Sequence, residues 1–216
     1  MAKSRHSLTK KGFQPPADKD WWRVDLKRRL SEHSAPRDVA ARLGGGILQF
    51  LDFPKDRHGN CADNSTVMVY ASMPHEAPTG GVMWELWNLG LRVAFPVVKP
   101  ENSITPYWIT NRNELVADRF GIAAPHPDTQ NKSRRVELSD LKIVVIPGLG
   151  FDADTGVRLG RGGGYYDRFL ARCPKALRIG LAFDEQIVCG LPAEPHDVPM
   201  HAVVTPTRTL RFDPPK

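Results

Sequence analysis

The sequence predicts an α/β fold in which an open, mostly parallel β-sheet is covered by helices on both faces. Lys142 to Ile146 (KIVVI) is the strongest predicted strand, a run typical of a parallel strand buried on both sides. Residues 67–98 show the order strand, helix, strand, which is that of a βαβ unit. The same alternation of helix and strands resumes at Tyr165 and continues to residue 205.

Length and composition fit one domain with a real core. The chain has 216 residues, of which 41% are hydrophobic and 25% charged, and its mean hydropathy is -0.37. No apolar run approaches the ~20 residues that a membrane-spanning helix needs. The three cysteines, Cys61, Cys173 and Cys189, form no CxxC pair, so neither a zinc knuckle nor a disulfide framework is predicted. We therefore expect no membrane partner and a reducing, cytoplasmic location.

The positive charge is concentrated at the N-terminus. The net charge is +6 with a pI near 9.4, which by itself suggests a nucleic-acid-binding module. Residues 1–17 carry four of these charges and no acid. We expect residues 1–18 to be a disordered basic tail and residues 19–210 to be a single, nearly neutral domain. An organellar transit peptide remains an alternative for the tail, which has no apolar segment of a secretory signal.

The N-terminal half predicts two helices followed by the βαβ unit. An amphipathic helix beginning at Trp21 places Trp22, Leu26 and Leu30 on one face. The remaining elements are a helix that follows Pro36 and runs to about Leu51, a loop over residues 54–65, a strand Val67 to Tyr70, a helix Thr79 to Leu89 and a strand Arg92 to Val98.

The C-terminal half completes the predicted sheet. Tyr107 to Ile109 is expected to be an edge strand, followed by a proline-rich polar connection over residues 120–135. After the strand Lys142 to Ile146, the pattern predicts a helix Tyr165 to Cys173 and strands Arg178 to Phe183 and Ala202 to Thr205.

The segment Pro147 to Arg168 has the composition of a phosphate-binding loop. Arg161 stands among four glycines, Arg158 lies just upstream, and a predicted helix follows. Glycine backbone amides, guanidinium groups and a helix N-terminus all favour an anion. The spacing matches neither a P-loop nor a dinucleotide-binding GxGxxG motif. A surface loop with solvated arginines remains the alternative.

Two acids near this segment are candidate metal ligands. Asp167 lies in the first predicted turn of the helix, where it either complements the helix dipole or binds Mg²⁺ beside a polyphosphate. Asp197, next to His196, lies in the loop before the last strand, where it is either a turn former or part of a site. Local chemistry leaves both alternatives open.

These stretches resemble the 5-formyltetrahydrofolate cyclo-ligase family. VVIPGLGFDADTGVRLGRGGGYYDRFL is similar to the long signature of the family, and IGLAFDEQIV with LPAEPHDVPMHAVVT to its C-terminal segment. KDWWR, MVYASMPHEAPT and RVAFPVV resemble upstream family segments, so the resemblance covers about Lys19 to Thr205. It implies the α/β fold type of sugar-phosphate isomerases and CoA transferases.

The resemblance also implies which residues form the site. Arg158, Arg161 and Asp167 would be catalytic, and Asp167 and Asp197 would hold Mg²⁺. The implied ATP-binding residues are Lys19, Arg23, Arg158, Leu159, Gly160, Arg161, Gly162, Gly163, Gly164, Tyr165 and Tyr166. The implied folate-binding residues are Ala71, Glu76, Phe120, Arg161, Gly162, Gly163, Gly164 and Tyr165, where Phe120 replaces a frequent tryptophan.

The implied reaction is the ATP-dependent conversion of 5-formyltetrahydrofolate, with or without a polyglutamate tail, to 5,10-methenyltetrahydrofolate. The formyl oxygen of the substrate would attack the γ-phosphate, so the protein needs no nucleophile of its own and acts by positioning and charge neutralisation. We expect a monomer that binds no nucleic acid. A relative that uses ATP on a different small metabolite, and the basic nucleic-acid-binding module, are the two alternatives.

Overall fold

The computed structural model describes residues 16–33, 37–51, 65–118 and 121–213. Most of the predicted tail, most of the loop 54–65, Cys61 and Phe120 therefore lie outside the described residues. The α-helices are α1 (Lys19–Glu32), α2 (Val39–Leu48), α3 (Gly80–Asn88) and α4 (Tyr165–Leu170). The strands are β1 (Thr66–Met68), β2 (Arg92–Val98), β3 (Ile104–Ile109), β4 (Leu115–Ala117), β5 (Ala123–Pro125), β6 (Leu141–Ile146), β7 (Gly150–Asp152), β8 (Arg158–Leu159), β9 (Leu177–Leu181), β10 (Ile187–Val188), β11 (Ala202–Val204) and β12 (Thr209–Arg211).

The main sheet confirms the predicted α/β architecture. Its strand order is β12-β11-β9-β6-β1-β2-β3 within the described residues. The central strands β11, β9, β6, β1 and β2 run parallel to one another, whereas the edge strand β12 is antiparallel to β11 and the edge strand β3 is antiparallel to β2. The predicted edge position of Tyr107 to Ile109 is confirmed, because these residues form the C-terminal half of β3.

Successive residues of the central strands face opposite sides of the sheet, and helices cover both sides. Ile143 and Val145 of β6 belong to the core cluster that contains the buried faces of α1, α2 and α3. Val144 and Ile146 belong to the second cluster, which contains Phe169 of α4. The continuous apolar run of β6 reflects this two-sided burial, as the sequence predicts.

Helix α1 begins at Lys19, two residues before the predicted start. The Asp18 side chain caps it by accepting a hydrogen bond of 2.8 Å from the backbone N–H of Asp20. The three residues of the predicted apolar face, Trp22, Leu26 and Leu30, are buried. Lys19 and Arg23 lie on or beside this same face, in the first turns of the helix, and both line a cavity at the carboxyl edge of the sheet.

Several predicted boundaries are corrected by the structure. Helix α4 ends at Leu170 instead of Cys173, because the Cys173 N–H already bonds the Leu170 carbonyl in a tighter turn and the thiol is buried. Helix α2 ends at Leu48, and β1 ends at Met68. The proline-rich connection contains β5, which pairs with β4 in a hairpin. Three short strands, β7, β8 and β10, form a second sheet that the sequence did not predict.

Helices α2 and α3 pack closely through a glycine, which gives a stability prediction. A Cβ on Gly81 would lie 2.1 Å from the backbone oxygen of Ala40, whereas a Cβ on the adjacent Gly80 would meet nothing within 4 Å. We expect Gly81→Ala to destabilise the fold by about 2–3 kcal/mol, because backbone must move. Gly80→Ala is the matched control and should be neutral or stabilising by up to about 1 kcal/mol. Denaturant unfolding measures both, and equal effects would contradict the packing account.

No helix in the described parts of the chain has the length and apolarity required to cross a membrane.

Candidate active site

A cavity of about 820 Å³ lies at the carboxyl ends of β1, β2 and β6. This volume is in the upper part of the ~300–1,000 Å³ range of small-molecule sites. Parallel sheets bind ligands at this edge, since the strands end there in loops. The cavity is lined by every site residue predicted from sequence that the structure describes: Lys19, Arg23, Ala71, Glu76, Arg158, Leu159, Gly160, Arg161, Gly162, Gly163, Gly164, Tyr165, Tyr166, Asp167 and Asp197. Phe120, the remaining predicted residue, is outside the described part of the chain.

Residues Gly160 to Gly164, called the glycine segment below, form one wall of the cavity between β8 and α4. Gly162 and Gly164 have φ angles of 107° and 62°, in a region that disfavours side chains. Gly164 is the residue before α4, a helix of only six residues. The segment is therefore a turn whose backbone lines the cavity, and it begins directly after the short β8.

Arg158 is a buried cation aimed at this cavity. Its side chain is 5% exposed, and its Nη2 donates to Oδ2 of Asp167 at 2.8 Å. The guanidinium carbon lies 5.6 Å from the centre of the Tyr166 ring. Arg158 Nε and Asp167 Oδ1 are buried and have no hydrogen-bond partner in the structure. Buried polar atoms without a hydrogen-bond partner lower the stability of the fold unless a ligand bonds to them, so this pair is a candidate ligand contact.

Glu76 and Arg161 form an ion pair across the cavity. The Arg161 Nη2 donates to Glu76 Oε1 at 3.2 Å, and the Met73 N–H donates to Oε2 at 3.0 Å. The Glu76 side chain is 9% exposed, and that of Arg161 is 50% exposed. Burial raises the pKa of Glu76 above its ordinary value, although Met73 and Arg161 oppose the shift.

Two tyrosine hydroxyls beside Glu76 stay protonated over the working pH range. Burial is the main cause of the raised pKa of Tyr70 and of Tyr166, and the Glu76 charge adds to it in both. The Tyr70 hydroxyl donates to the carbonyl of Ala77. The Glu76 carboxylate thus faces an apolar wall, an arginine and neutral phenols, an environment suited to a planar ligand with N–H donors.

Lys19 is held by acids on the opposite wall. Its Nζ lies 2.9 and 2.8 Å from the two carboxylate oxygens of Asp197 and 2.8 Å from Oε2 of Glu194. Burial lowers the pKa of Lys19, but the hydrogen bonds and charges of the two acids outweigh it and raise the pKa overall. Arg23, one turn further along α1, donates from Nε to the Gly160 carbonyl at 3.3 Å. Both cations therefore reach the cavity, as their spacing predicts.

The two predicted metal ligands lie at the same cavity with different neighbours. Asp167 pairs with Arg158, and Asp197 pairs with Lys19. Ligand atoms of Asp197, Glu194 and His196 all lie within 4.8 Å of one another, and Asp167 is not part of that group. Carboxylate oxygens are the ligands that Mg²⁺ prefers, and the unpartnered buried Oδ1 of Asp167 is an open ligand position, so the residues fit the ion.

Sequence reasoning missed other residues of the cavity. Glu194 lies three residues before Asp197, and its acidic side chain in the same loop was the available signal. An apolar wall comes from β2, β3 and the β4–β5 hairpin, through Pro96, Val97, Val98, Ile104, Ile122 and Ala123. No local pattern marks these residues as a binding surface, because only the strand order brings them to the carboxyl edge.

The sequence is similar to proteins of one named family. The sequence model of the 5-formyltetrahydrofolate cyclo-ligase family matches residues 55–206. The 5-formyltetrahydrofolate cyclo-ligase of Escherichia coli (strain K12) is 37% identical over 151 residues, which cover 68% of this chain and 81% of that protein. The Mycolicibacterium smegmatis enzyme of the same name is 33% identical over 190 residues, covering 86% and 91%.

Solved structures with this fold agree with the sequence comparison. The NMR structure of Aquifex aeolicus 5,10-methenyltetrahydrofolate synthetase matches with a TM-score of 0.69 and 26% identity, covering 92% of this chain and 94% of that one. The Mycoplasma pneumoniae 5,10-methenyltetrahydrofolate synthetase matches with a TM-score of 0.60 at 21% identity, covering 86% and 97%, and supports the fold alone.

Proposed function

This chain belongs to the 5-formyltetrahydrofolate cyclo-ligase family, and from that premise we propose that it converts 5-formyltetrahydrofolate to 5,10-methenyltetrahydrofolate at the expense of ATP, releasing ADP and phosphate. The observation that carries the proposal is the meeting, in one cavity, of the buried Arg158–Asp167 pair, the glycine segment and the buried Glu76 carboxylate. The first two suit a polyphosphate, and the third suits the N–H donors of a pterin.

The triphosphate would lie along the glycine segment. Arg158 and Arg161 approach from that wall, and Lys19 and Arg23 approach from α1. Backbone N–H groups of the segment can come close to phosphate oxygens because its glycines carry no side chains. Lys19 would exchange Asp197 and Glu194 for a phosphate oxygen, which is a short move for a flexible side chain that already lines the cavity.

Asp167 and Asp197 are the residues that would hold Mg²⁺, and the ion would supply positive charge to neutralise the phosphate oxygens when bound. The unpartnered Oδ1 of Asp167 supports this assignment. Glu194, within 4.8 Å of the Asp197 ligand atoms, is a further oxygen donor for the same ion.

The folate would occupy the apolar part of the cavity. Glu76 accepts hydrogen bonds from the amino and ring N–H groups of the pterin, while Val97, Ile104 and Ala71 contact its rings. Arg161 is joined to Glu76 by an ion pair, so a cation that would serve the phosphates lies beside the group that would bind the pterin. The two substrates would therefore be bound next to each other in one cavity.

The proposed chemistry uses a substrate atom as the nucleophile. The N5-formyl oxygen attacks the γ-phosphorus, and the bond from this phosphorus to the bridging oxygen of ADP breaks. N10 then bonds to the formyl carbon and loses its proton, and the carbon–oxygen bond breaks to release phosphate. Arg158 and Arg161 stabilise the charge that develops on the transferring phosphoryl group, and the walls hold the two substrates in line.

A single assay tests the proposal. The full chain is mixed with ATP, Mg²⁺ and 5-formyltetrahydrofolate, and the methenyl product is followed by its absorbance. We expect the chromophore to form only when all three components are present. ATP hydrolysis that depends on a different small metabolite, without the chromophore, would instead favour the alternative activity within the family.

Replacing Glu76 should weaken the binding of folate more than that of ATP. We expect Glu76→Gln to raise the KM for 5-formyltetrahydrofolate by roughly 10- to 100-fold, because one charged acceptor is lost, with little change in the KM for ATP. Glu137→Gln, an exposed acid that does not line the cavity, is the matched control. Equal increases in both KM values for Glu76→Gln would contradict the assignment.

The pH dependence of the same site follows from the raised pKa of Glu76. Its carboxylate is needed to accept from the pterin, so the KM for folate in the wild type should rise as the pH falls through that raised pKa. The Glu76→Gln variant should lose this pH dependence of the KM.

Because burial disfavours the charged form, the Glu76 carboxyl group lowers the stability of the fold as the pH rises through its raised pKa. The Gln variant should therefore be no less stable than the wild type at neutral pH.

A further inference from the structure

We propose that Asn102 and Arg168 are positioning residues that clamp the glycine segment in its nucleotide-binding conformation. The inference rests on the proposed function, since it concerns the ATP half of the same site. Neither residue lines the cavity, so any effect on the nucleotide must pass through the residues that they hold.

Asn102 lies in a tight turn between β2 and β3, far along the chain from the glycine segment. Within this turn the Lys99 N–H donates to the Ser103 carbonyl at 2.9 Å, and the Asn102 N–H donates to the Lys99 carbonyl at 3.0 Å. Asn102 has a φ of 57°, a left-handed conformation that asparagine tolerates better than most residues. The turn therefore sets the direction of the Asn102 side chain and carbonyl.

The side-chain oxygen and the backbone carbonyl oxygen of Asn102 both accept hydrogen bonds from side chains of α4. The Tyr165 hydroxyl donates to the side-chain Oδ1 at 3.0 Å, and Arg168 Nη2 donates to the backbone carbonyl at 3.3 Å. The same Nη2 also donates to the Gly163 carbonyl at 2.9 Å. Arg168 is thus shared between the β2–β3 turn and the glycine segment, and ties one to the other.

The aromatic ring of Tyr165 completes this clamp. Its ring lies 5.4 Å from the guanidinium carbon of Arg168, which is a cation–π distance. A Cβ on Gly163 would lie only 2.6 Å from the same ring, so this part of the backbone rests directly on the tyrosine. The hydroxyl bond to Asn102 fixes the ring, and the ring supports Gly163.

A glycine-rich turn needs such support, because glycine has the most backbone freedom to lose on binding. Fixing the turn before the nucleotide arrives removes part of that cost and so strengthens binding without adding a contact. Loosening the clamp should therefore weaken ATP binding first, and it should reduce kcat less than it raises the KM for ATP.

Asn102→Gly is the informative variant. Glycine accepts the left-handed φ but removes the acceptor of the Tyr165 hydroxyl, whereas Asn102→Asp keeps an acceptor oxygen. We expect Asn102→Gly to weaken ATP binding by roughly three- to tenfold, the range expected for one lost hydrogen bond, and Asn102→Asp to recover most of it. Glu101→Gln changes an exposed neighbour in the same turn, which accepts a hydrogen bond from the Ser103 hydroxyl, and should match the wild type.

ATP affinity is measured by calorimetry on every variant, beside the steady-state KM and kcat of the absorbance assay. Tyr165→Phe and the double variant with Asn102→Gly complete a double-mutant cycle. Non-additive losses of ATP affinity are expected if the hydroxyl–amide bond carries the effect. Additive losses, or an Asn102→Gly variant with wild-type ATP affinity, would overturn the clamp.

The two proposals fail in different ways. If the wild type binds ATP but forms no methenyl product, and Asn102→Gly weakens ATP binding, the proposed reaction is overturned and the clamp is supported. If the wild type forms product and the KM for ATP of Asn102→Gly equals that of the wild type, only the clamp is overturned. A wild-type protein that binds no nucleotide would overturn both.

Discussion

Replacing Arg161 by alanine should abolish turnover while leaving the fold intact. The guanidinium is half exposed and lines the cavity between the glycine segment and Glu76, so it can reach the phosphoryl group in transfer. Arginines that stabilise this kind of transition state contribute about 10³- to 10⁵-fold to the rate, and we expect a loss in kcat/KM of at least roughly 10³-fold. The absorbance assay measures it.

Stability and charge controls separate this effect from a general one. Since the Arg161 side chain is half solvated, the free energy of unfolding should change by no more than about 1 kcal/mol. Arg161→Lys should recover only part of the rate, because an ammonium group lacks the planar fork of donors. Arg112→Ala, which removes an exposed arginine outside the cavity, should have wild-type activity. Near-normal turnover of Arg161→Ala would remove Arg161 from the mechanism.

Asp167 should show the second large effect, in two distinguishable parts. Asp167→Ala leaves the buried Arg158 guanidinium without its counter-ion, and breaking such a pair costs about 3–5 kcal/mol of stability. Asp167→Asn keeps an oxygen that can accept from Arg158, so its stability loss should be clearly smaller. Denaturant unfolding of the two variants, compared with the wild type, measures this difference.

The proposed role of Asp167 as a metal ligand is tested by the same asparagine variant. A neutral amide is a poorer ligand than a carboxylate, and we expect the Mg²⁺ concentration that gives half-maximal turnover to rise by roughly 10- to 100-fold. Asp154→Asn, which alters an exposed acid outside the cavity, is the control. If Asp167→Asn kept the wild-type Mg²⁺ requirement, Asp167 would serve only to position Arg158, and the metal ligands would be sought among Asp197 and Glu194.

Much of the fold follows from local patterns in the sequence. The i, i+4, i+8 spacing of Trp22, Leu26 and Leu30 identifies the buried face of α1, and the apolar run of β6 identifies a central strand. The short strands β7, β8 and β10 have two or three residues each, too few to show a period, so no pattern could predict them.

The candidate site was predictable in part. The glycine-arginine composition indicated an anion because it is contained in one continuous stretch of chain, and the resemblance to family segments elsewhere in the chain implied the other site residues. The partners of these residues were not predictable. Arg161 meets Glu76 across 85 positions, and Lys19 meets Asp197 across 178. The ion pairs that orient the cations therefore had no signal in local sequence.

The sequence by itself determined the α/β class, the amphipathic face of α1 and the chemistry of the glycine segment, since periodicity and composition act over a few residues. The tertiary structure decided the order of the strands, and with it the apolar wall, the Glu194–Lys19 contact and the hydrogen bond from Tyr165 to Asn102. These contacts depend on which strands become neighbours. That choice comes from the packing of the whole core and not from any one segment.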